Sequence, residues 1–441
     1  MKTPQPSRLV PVLLSLAAVA LTACTAQTIQ TRMPDEADRH EGTWLTWPHQ
    51  YTYGTAYRNS LDATWVAMTQ ALVAGERVHI IAYNSTEQTR ITSLLTAAAV
   101  PLANVNFLVR QTDDVWVRDN GPVFVFDNSN QLKLTDWGFD GWGDDTAFAK
   151  DNTVPSAVAA ALSLPLVNLN ATVLEGGAIE HDGHGVMMAA RSSILDTARN
   201  PGLTQAQLES TLRTNLGFTK FIWLDGAFGG TDDITDMHID GFMRFAPNRT
   251  LVTMSSADLT YWGLSAADIA TLNAATDSNG AAYTFVRLPL TANDVKVTSG
   301  RSLGYKGSYA NYYVANNVVL VPAYNDPNDA PARAIIAPLY PGRTVVGIDV
   351  RNLFENGGMV HCVTQQQPAV PLSLVSLPGG AGGIALTFAG DSGHSYRLQA
   401  STTLQSASWA AVESFILTGQ TKTFSQPLAG YTARFFRVVA P

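Results

Sequence analysis

Val78-His79-Ile80-Ile81-Ala82-Tyr83 is a short, almost unbroken apolar run rich in β-branched side chains. Its length and composition predict a strand buried on both faces. Before it, over residues 57–74, apolar side chains recur at helical spacing. A helix feeding a buried strand is the repeating unit of an α/β fold, and the unit recurs outward along the chain. Residues 106–109, 123–126, 220–224, 250–254, 283–288, 318–322 and 345–348 read as further strands. Residues 204–216 read as a helix, with Thr204 as N-cap and Gln207 three positions on to complete a capping box. The alternation predicts an α/β body.

Both ends differ from that body. Lys2 and Arg8 open a basic start, followed by an apolar run over residues 9–21 that is too short to span a bilayer. It closes on Leu21-Thr22-Ala23-Cys24, which resembles a bacterial lipobox whose cysteine is lipidated. The expectation is a lipoprotein signal over residues 1–23 and a soluble protein anchored at the cell envelope through Cys24, with no other membrane contact. An ordinary cleaved signal is the alternative. After Gln367, Pro368-Ala369-Val370-Pro371 and the glycine cluster at 378–383 mark a linker. Beyond it the texture turns all-β, with strands expected at 384–388, 396–400, 409–412, 422–424 and 435–439. The expected organisation is a catalytic domain over 24–371 and a small β-sandwich over 372–441.

Formal charge is −8 in total. The tail sets Arg397, Lys422, Arg434 and Arg437 against Asp391 and Glu413, and the N-terminal segment is basic. The body therefore carries more negative charge than the whole chain. An acidic body disfavours nucleic acid and steers cations inward.

Only two cysteines are present, and one ends the export signal. Cys362, in Glu355-Asn356-Gly357-Gly358-Met359-Val360-His361-Cys362, is then a lone thiol: a quiet core residue or a nucleophile. Three more segments bear on the choice. Asp113-Asp114-Val115-Trp116-Val117-Arg118-Asp119-Asn120-Gly121-Pro122 sets Asp119 beside a Gly-Pro turn. Leu174-Glu175-Gly176-Gly177 places Glu175 against two glycines that permit close approach. In Asp236-Met237-His238-Ile239-Asp240-Gly241, a strand over 237–243 would put His238 and Asp240 on one face. Asp232, Asp233 and Asp236 read as a solvated turn, and their spacing matches no standard zinc or calcium loop.

Together these segments resemble the agmatine deiminase family, a branch of the guanidine-modifying pentein superfamily that also holds the bacterial peptidylarginine deiminases. The resemblance runs from Met33-Pro34-Asp35-Glu36 through Leu45-Thr46-Trp47-Pro48 to the Gln-Gln-Gln-Pro tract at 365–368, and includes Asn311 and residues 318–322. It implies a five-bladed αβ propeller and a small cationic guanidine substrate. It also implies a catalytic set of Asp119, Glu175, His238, Asp240 and Cys362, with Trp116 and Asn311 beside the substrate.

The chemistry explains those residue types. A guanidinium is planar, charged and poorly attacked by water. Asp119 and Asp240 can grip its N–H edges, the Cys362 thiolate can attack its carbon, and His238 can pass protons. Glu175 then orients His238 or a guanidinium N–H. His361 is a rival base, disfavoured if strand geometry turns it away from Cys362. No metal or organic cofactor is needed. The family commonly has asparagine at the position of Met359 and a small polar residue at that of Ala178, which bears on substrate identity. Peptidyl- or free-arginine deiminase is the alternative activity, with Arg301 or Lys306 available for a carboxylate. A non-catalytic cation-binding surface lipoprotein is the alternative of another class.

Overall fold

A computed structural model describes residues 31–227, 233–378 and 383–440. The quoted run lies in the strand Arg77–Ala82, where Val78, Ile80, Ile81 and Ala82 are fully buried. It is buried because strands flank it on both sides, His40–Thr46 and Val105–Val109, each parallel to it. The connecting helix Gln50–Leu72 buries Leu61, Trp65, Met68 and Leu72, a stripe at helical spacing. The helix begins earlier than the periodicity predicts and is interrupted by Gly54, whose φ is +68°.

Five small sheets make up residues 31–368, and all five repeat one strand pattern. A first strand pairs antiparallel with a second, and the second pairs parallel with a third. The second–third pairs are Leu132–Gly138 with Leu166–Val173, Val186–Ala190 with Lys220–Leu224, Thr250–Met254 with Thr284–Leu288, Val318–Ala323 with Thr344–Asp349, and His40–Thr46 with Arg77–Ala82. In the last sheet the first strand is Gln365–Pro368, from the far end of the body, paired with His40–Thr46. The Gln-Gln-Gln-Pro tract is thus a closing strand, and the segment read as linker begins inside it.

The first strands carry charge to a common centre. Glu180, Arg244 and Gln366 lie on three of them, and they meet Glu36, Arg118 and His361 there. Glu36 pairs with Arg244 at 2.8 Å, Arg118 at 3.3 Å and His361 at 2.8 Å, and it also accepts the Val314 amide. Burial opposes its charge, but these cations hold its carboxyl well below the usual range. A buried acid so surrounded is satisfied, whereas removing one partner would strand a charge.

The helix Gln205–Leu216 has the expected capping box at Thr204 and Gln207. Strand expectations at 220–224, 250–254 and 435–439 match the observed bounds. The strands Leu132–Gly138, Leu166–Val173, Ile179–His181 and Val186–Ala190 were not anticipated, because polar and small residues break their apolar runs. Residues 373–440 form two three-stranded sheets, including an unexpected strand, Ser373–Pro378. They touch the body through several polar contacts. Gln420 exchanges two hydrogen bonds with Leu132, the Val370 amide donates to Asp391, and His394 lies 3.0 Å from Glu41. The export signal, Cys24 and Asp232 lie outside the described residues.

Candidate active site

Four short turns, rather than strands, assemble the site. Asp119 sits on the one-turn helix Val117–Asn120. Neutral donors hold both its oxygens: the Gly177 amide at 2.9 Å on Oδ1 and the Trp142 indole at 3.2 Å on Oδ2. Burial, aided by the Glu175 and Asp240 carboxylates, pushes its pKa up to about 6 against the pull of His238.

Glu175 is fully buried just before the 3-10 turn Gly176–Ala178. Its Oε1 accepts Arg199 Nε at 2.7 Å and its Oε2 lies 2.7 Å from His238 Nε2. Arg199 also holds Asp236 at 2.6 Å. His238 is thereby locked at Nε2, leaving Nδ1 toward Asp119 Oδ1 at 3.6 Å. Burial alone would depress the imidazole, but Asp119, Glu175 and Asp240 outweigh it and raise its pKa to about 9.

Asp240 lies in the 3-10 turn Ile239–Gly241, not in a strand; the strand starts at Met243. His238 and Asp240 still converge, because the turn brings both inward. The same Asp240 Oδ2 is 2.7 Å from His361 Nδ1 and 3.8 Å from Cys362 Sγ. Burial opposes ionisation, yet the His361 hydrogen bond and charge hold this carboxyl below the usual range. Asn311 Nδ2 is 3.3 Å from Sγ, and its Oδ1 accepts the His361 amide at 2.9 Å. Cys362 is half-buried on the 3-10 turn His361–Val363. Burial, then Asp240 and Asp119, raise its thiol well above the ordinary value. The strand argument against His361 therefore fails. Its ring faces the same carboxylate as the thiol, but both ring nitrogens are occupied by carboxylates, so it has no free nitrogen to serve as a base.

Gly177 locates the centre of the site. A Cβ there would lie 2.6 Å from His238 Nδ1, 2.8 Å from Asp119 Oδ1 and 3.2 Å from Asp240 Oδ2. Proton-transfer and cation-binding atoms therefore surround one backbone position. Replacing Gly177 by alanine is expected to lower kcat/KM about 100-fold by displacing them, with a stability loss of about 1–3 kcal/mol from overpacking. Kinetics and thermal melting of the variant check this; activity within a few-fold of wild type would mean the close convergence is dispensable.

Trp116 is buried against Gly358, where a Cβ would meet its ring at 2.0 Å. Trp142 meets Trp116 edge-on, with centroids 6.4 Å apart. Trp142 and Arg199 escaped the sequence reading, whereas the close approach expected at Gly177 is observed. Arg199 carries no local signal. Trp142 does: it lies between Gly141 and Gly143 in a run of positive φ, itself at +60°. Such a conformation is rare for a bulky residue and marks functional turns. Asp236 is paired with Arg199 and not a free solvated acid. Among the described residues, no cluster of His, Cys, Asp and Glu is spaced to hold a metal ion.

Residues 32–368 match the model of the Porphyromonas-type peptidyl-arginine deiminases, and the chain belongs to that family. It is 31% identical to the agmatine deiminase of Pseudomonas aeruginosa (strain LESB58), an alignment covering 77% of this chain and 95% of that one. A substrate-bound cysteine-to-serine variant of the C. jejuni agmatine deiminase superposes with a TM-score of 0.64 at 25% identity, covering 76% of this chain and 96% of that one. The agmatine deiminase of Enterococcus faecalis superposes with a TM-score of 0.67 at 24% identity, covering 77% and 96%, and speaks to the fold alone.

Proposed function

We infer that the protein hydrolyses agmatine to N-carbamoylputrescine and ammonia through a covalent cysteine intermediate. The observation that carries this is the convergence of Asp119, Asp240 and His238 Nδ1 on one point beside Cys362 Sγ. In the free site burial, and then the carboxylates, keep the thiol protonated. A bound guanidinium neutralises the carboxylates, so the Sγ proton is released to solvent and the thiolate forms. The Cys362 sulfur then bonds to the guanidinium carbon. His238 Nδ1–H gives its proton to the departing nitrogen, the C–N bond breaks, and ammonia leaves a thiouronium adduct. Neutral His238 next takes a proton from water, whose oxygen attacks the same carbon. The C–S bond breaks and the thiolate returns, the added hydroxyl releases its remaining proton to solvent, and the neutral ureido product departs. Glu175 and Arg199 keep the imidazole in place throughout.

Agmatine is favoured over arginine because Arg301, one of two basic residues offered for a substrate carboxylate, is paired with Glu355. Lys306, the other, lies over the Tyr261 ring. Colorimetric assay of ureido product from agmatine, free arginine and an arginyl peptide in parallel tests the assignment; faster turnover of the peptide would replace it with peptidylarginine deiminase.

The pKa values predict a bell-shaped profile of kcat/KM. Below about pH 6, Asp119 takes up a proton and the guanidinium loses one charge partner. Above about pH 9, His238 loses the proton needed by the leaving group. Stability has its own dependence. The raised His238 pKa stabilises the fold fully below the ordinary value of 6.5, and this contribution fades as pH rises through about 9. A profile whose limbs lie elsewhere would reassign the titrating groups.

The fivefold repeat of strand pattern supports reading residues 24–371 as a five-bladed αβ propeller. The two tail sheets support an accessory β-sandwich over 372–441. A chain ending at 371 is then expected to retain activity on agmatine; an insoluble product would make the tail part of the catalytic unit. For localisation, the lipobox-like sequence supports lipidation at Cys24. Mass spectrometry of the envelope fraction should find an acylated N-terminus there, and an unmodified soluble chain would overturn it.

A further inference from the structure

We propose that His361, clamped between Asp240 and Glu36, is a positioning residue that keeps Asp240 ionised and aimed at the substrate cation. The proposal rests on the deiminase reading of the site and explains how two identical carboxyl groups in it behave differently.

Asp119 and Asp240 flank the same point, yet their partners differ in kind. Asp119 has neutral donors on both oxygens, with His238 Nδ1 farther off at 3.6 Å. Asp240 has His361 Nδ1 at 2.7 Å on the oxygen that faces the thiol. His361 Nε2 is 2.8 Å from Glu36 Oε2. Each ring nitrogen lies within hydrogen-bond distance of a carboxylate oxygen, and a carboxylate can only accept, so the geometry fits a ring that donates from both nitrogens, as an imidazolium does. Carboxylates and cations both surround it. Glu180 lies 4.0 Å from Nε2, Arg118 Nε donates to the His361 carbonyl, and Arg244 and Arg118 neutralise the far side of Glu36. Asn311 fixes the backbone by accepting the His361 amide. The ring is buried and both of its nitrogens are already engaged by carboxylates. A fixed positive charge behind Asp240 preserves its negative charge when the site is empty, while Asp119, without one, titrates near pH 6. Environments that push paired groups apart are the usual way of dividing roles.

The consequence has an unusual sign. Without His361, Asp240 takes up a proton. Substrate binding weakens, but the thiol loses one of the negative charges that keep it protonated. His361→Asn is expected to raise KM for agmatine about 30-fold or more with a smaller change in kcat. In the same variant, iodoacetamide labelling of Cys362 at pH 7.5 without substrate should quicken about tenfold. Labelling is followed on the Cys362 peptide of the full chain, with melting and circular dichroism confirming the native state. Combined with Asp240→Asn, the substitution should add nothing further, because it acts only through that residue. If His361→Asn does not fold, His361→Gln retains one donor without the charge and carries the same expectations. Unchanged labelling, a KM within threefold of wild type, or additive effects in the double variant would each overturn the proposal. Labelling does not depend on agmatine being the substrate, so failure of the activity assignment would be seen separately.

Discussion

Replacing Cys362 by serine is expected to remove ureido product while agmatine binding stays within a few-fold of wild type. The binding groups, Asp119 and Asp240, are not touched by the change. The nucleophile is: a serine hydroxyl is far less acidic than a thiol, and a bound cation that stabilises a thiolate enough for Sγ–H to release its proton to solvent cannot do so for Oγ–H. No imidazole lies poised to take that proton either. His238 is held charged by three carboxylates and His361 is committed at both nitrogens. Turnover should fall by about four orders of magnitude or more, as for other nucleophile deletions. Single-turnover assays with calorimetric binding of agmatine separate the two effects. Turnover near wild type would eliminate the covalent mechanism.

Asp119→Asn and Asp240→Asn should each act on transition-state binding. Leaving a guanidinium edge without its charged partner costs on the order of 2–5 kcal/mol, or roughly 30- to several-thousand-fold in kcat/KM. Asp240→Asn should be the worse of the two. Its carboxyl is held ionised, whereas Asp119 is partly protonated near pH 6. His238→Asn should instead depress kcat with little change in ground-state affinity, because its proton moves during reaction. Steady-state constants for the three variants with agmatine at pH 6 and pH 8 distinguish the classes, and the gap between the two aspartate variants should narrow at pH 8. If both aspartate variants keep efficiency within a few-fold, the guanidinium clamp is misassigned. Asp114, half-buried with its pKa raised to about 6 mainly by desolvation, would be the next candidate.

Residue identity and local periodicity carried the α/β class, because a strand such as Arg77–Ala82 needs apolar residues throughout when sheet neighbours and helices cover it. Capping chemistry placed the start of Gln205–Leu216 for the same local reason. The candidate site residues Asp119, Glu175, His238, Asp240 and Cys362 were legible as types at recognisable motifs, since guanidinium chemistry demands carboxylates, a proton carrier and a soft nucleophile. What periodicity could not supply was the path of the backbone between them. The segments at 239–241 and 361–363 are 3-10 turns, and no two-residue repeat marks a turn. Long-range pairing was equally hidden. Arg199 is committed to Glu175 from 24 residues away, and His361 to Glu36 across 325. Such pairings depend on where five sheets set their ends, so only the tertiary structure decided which histidine is free to move a proton and which is locked behind Asp240.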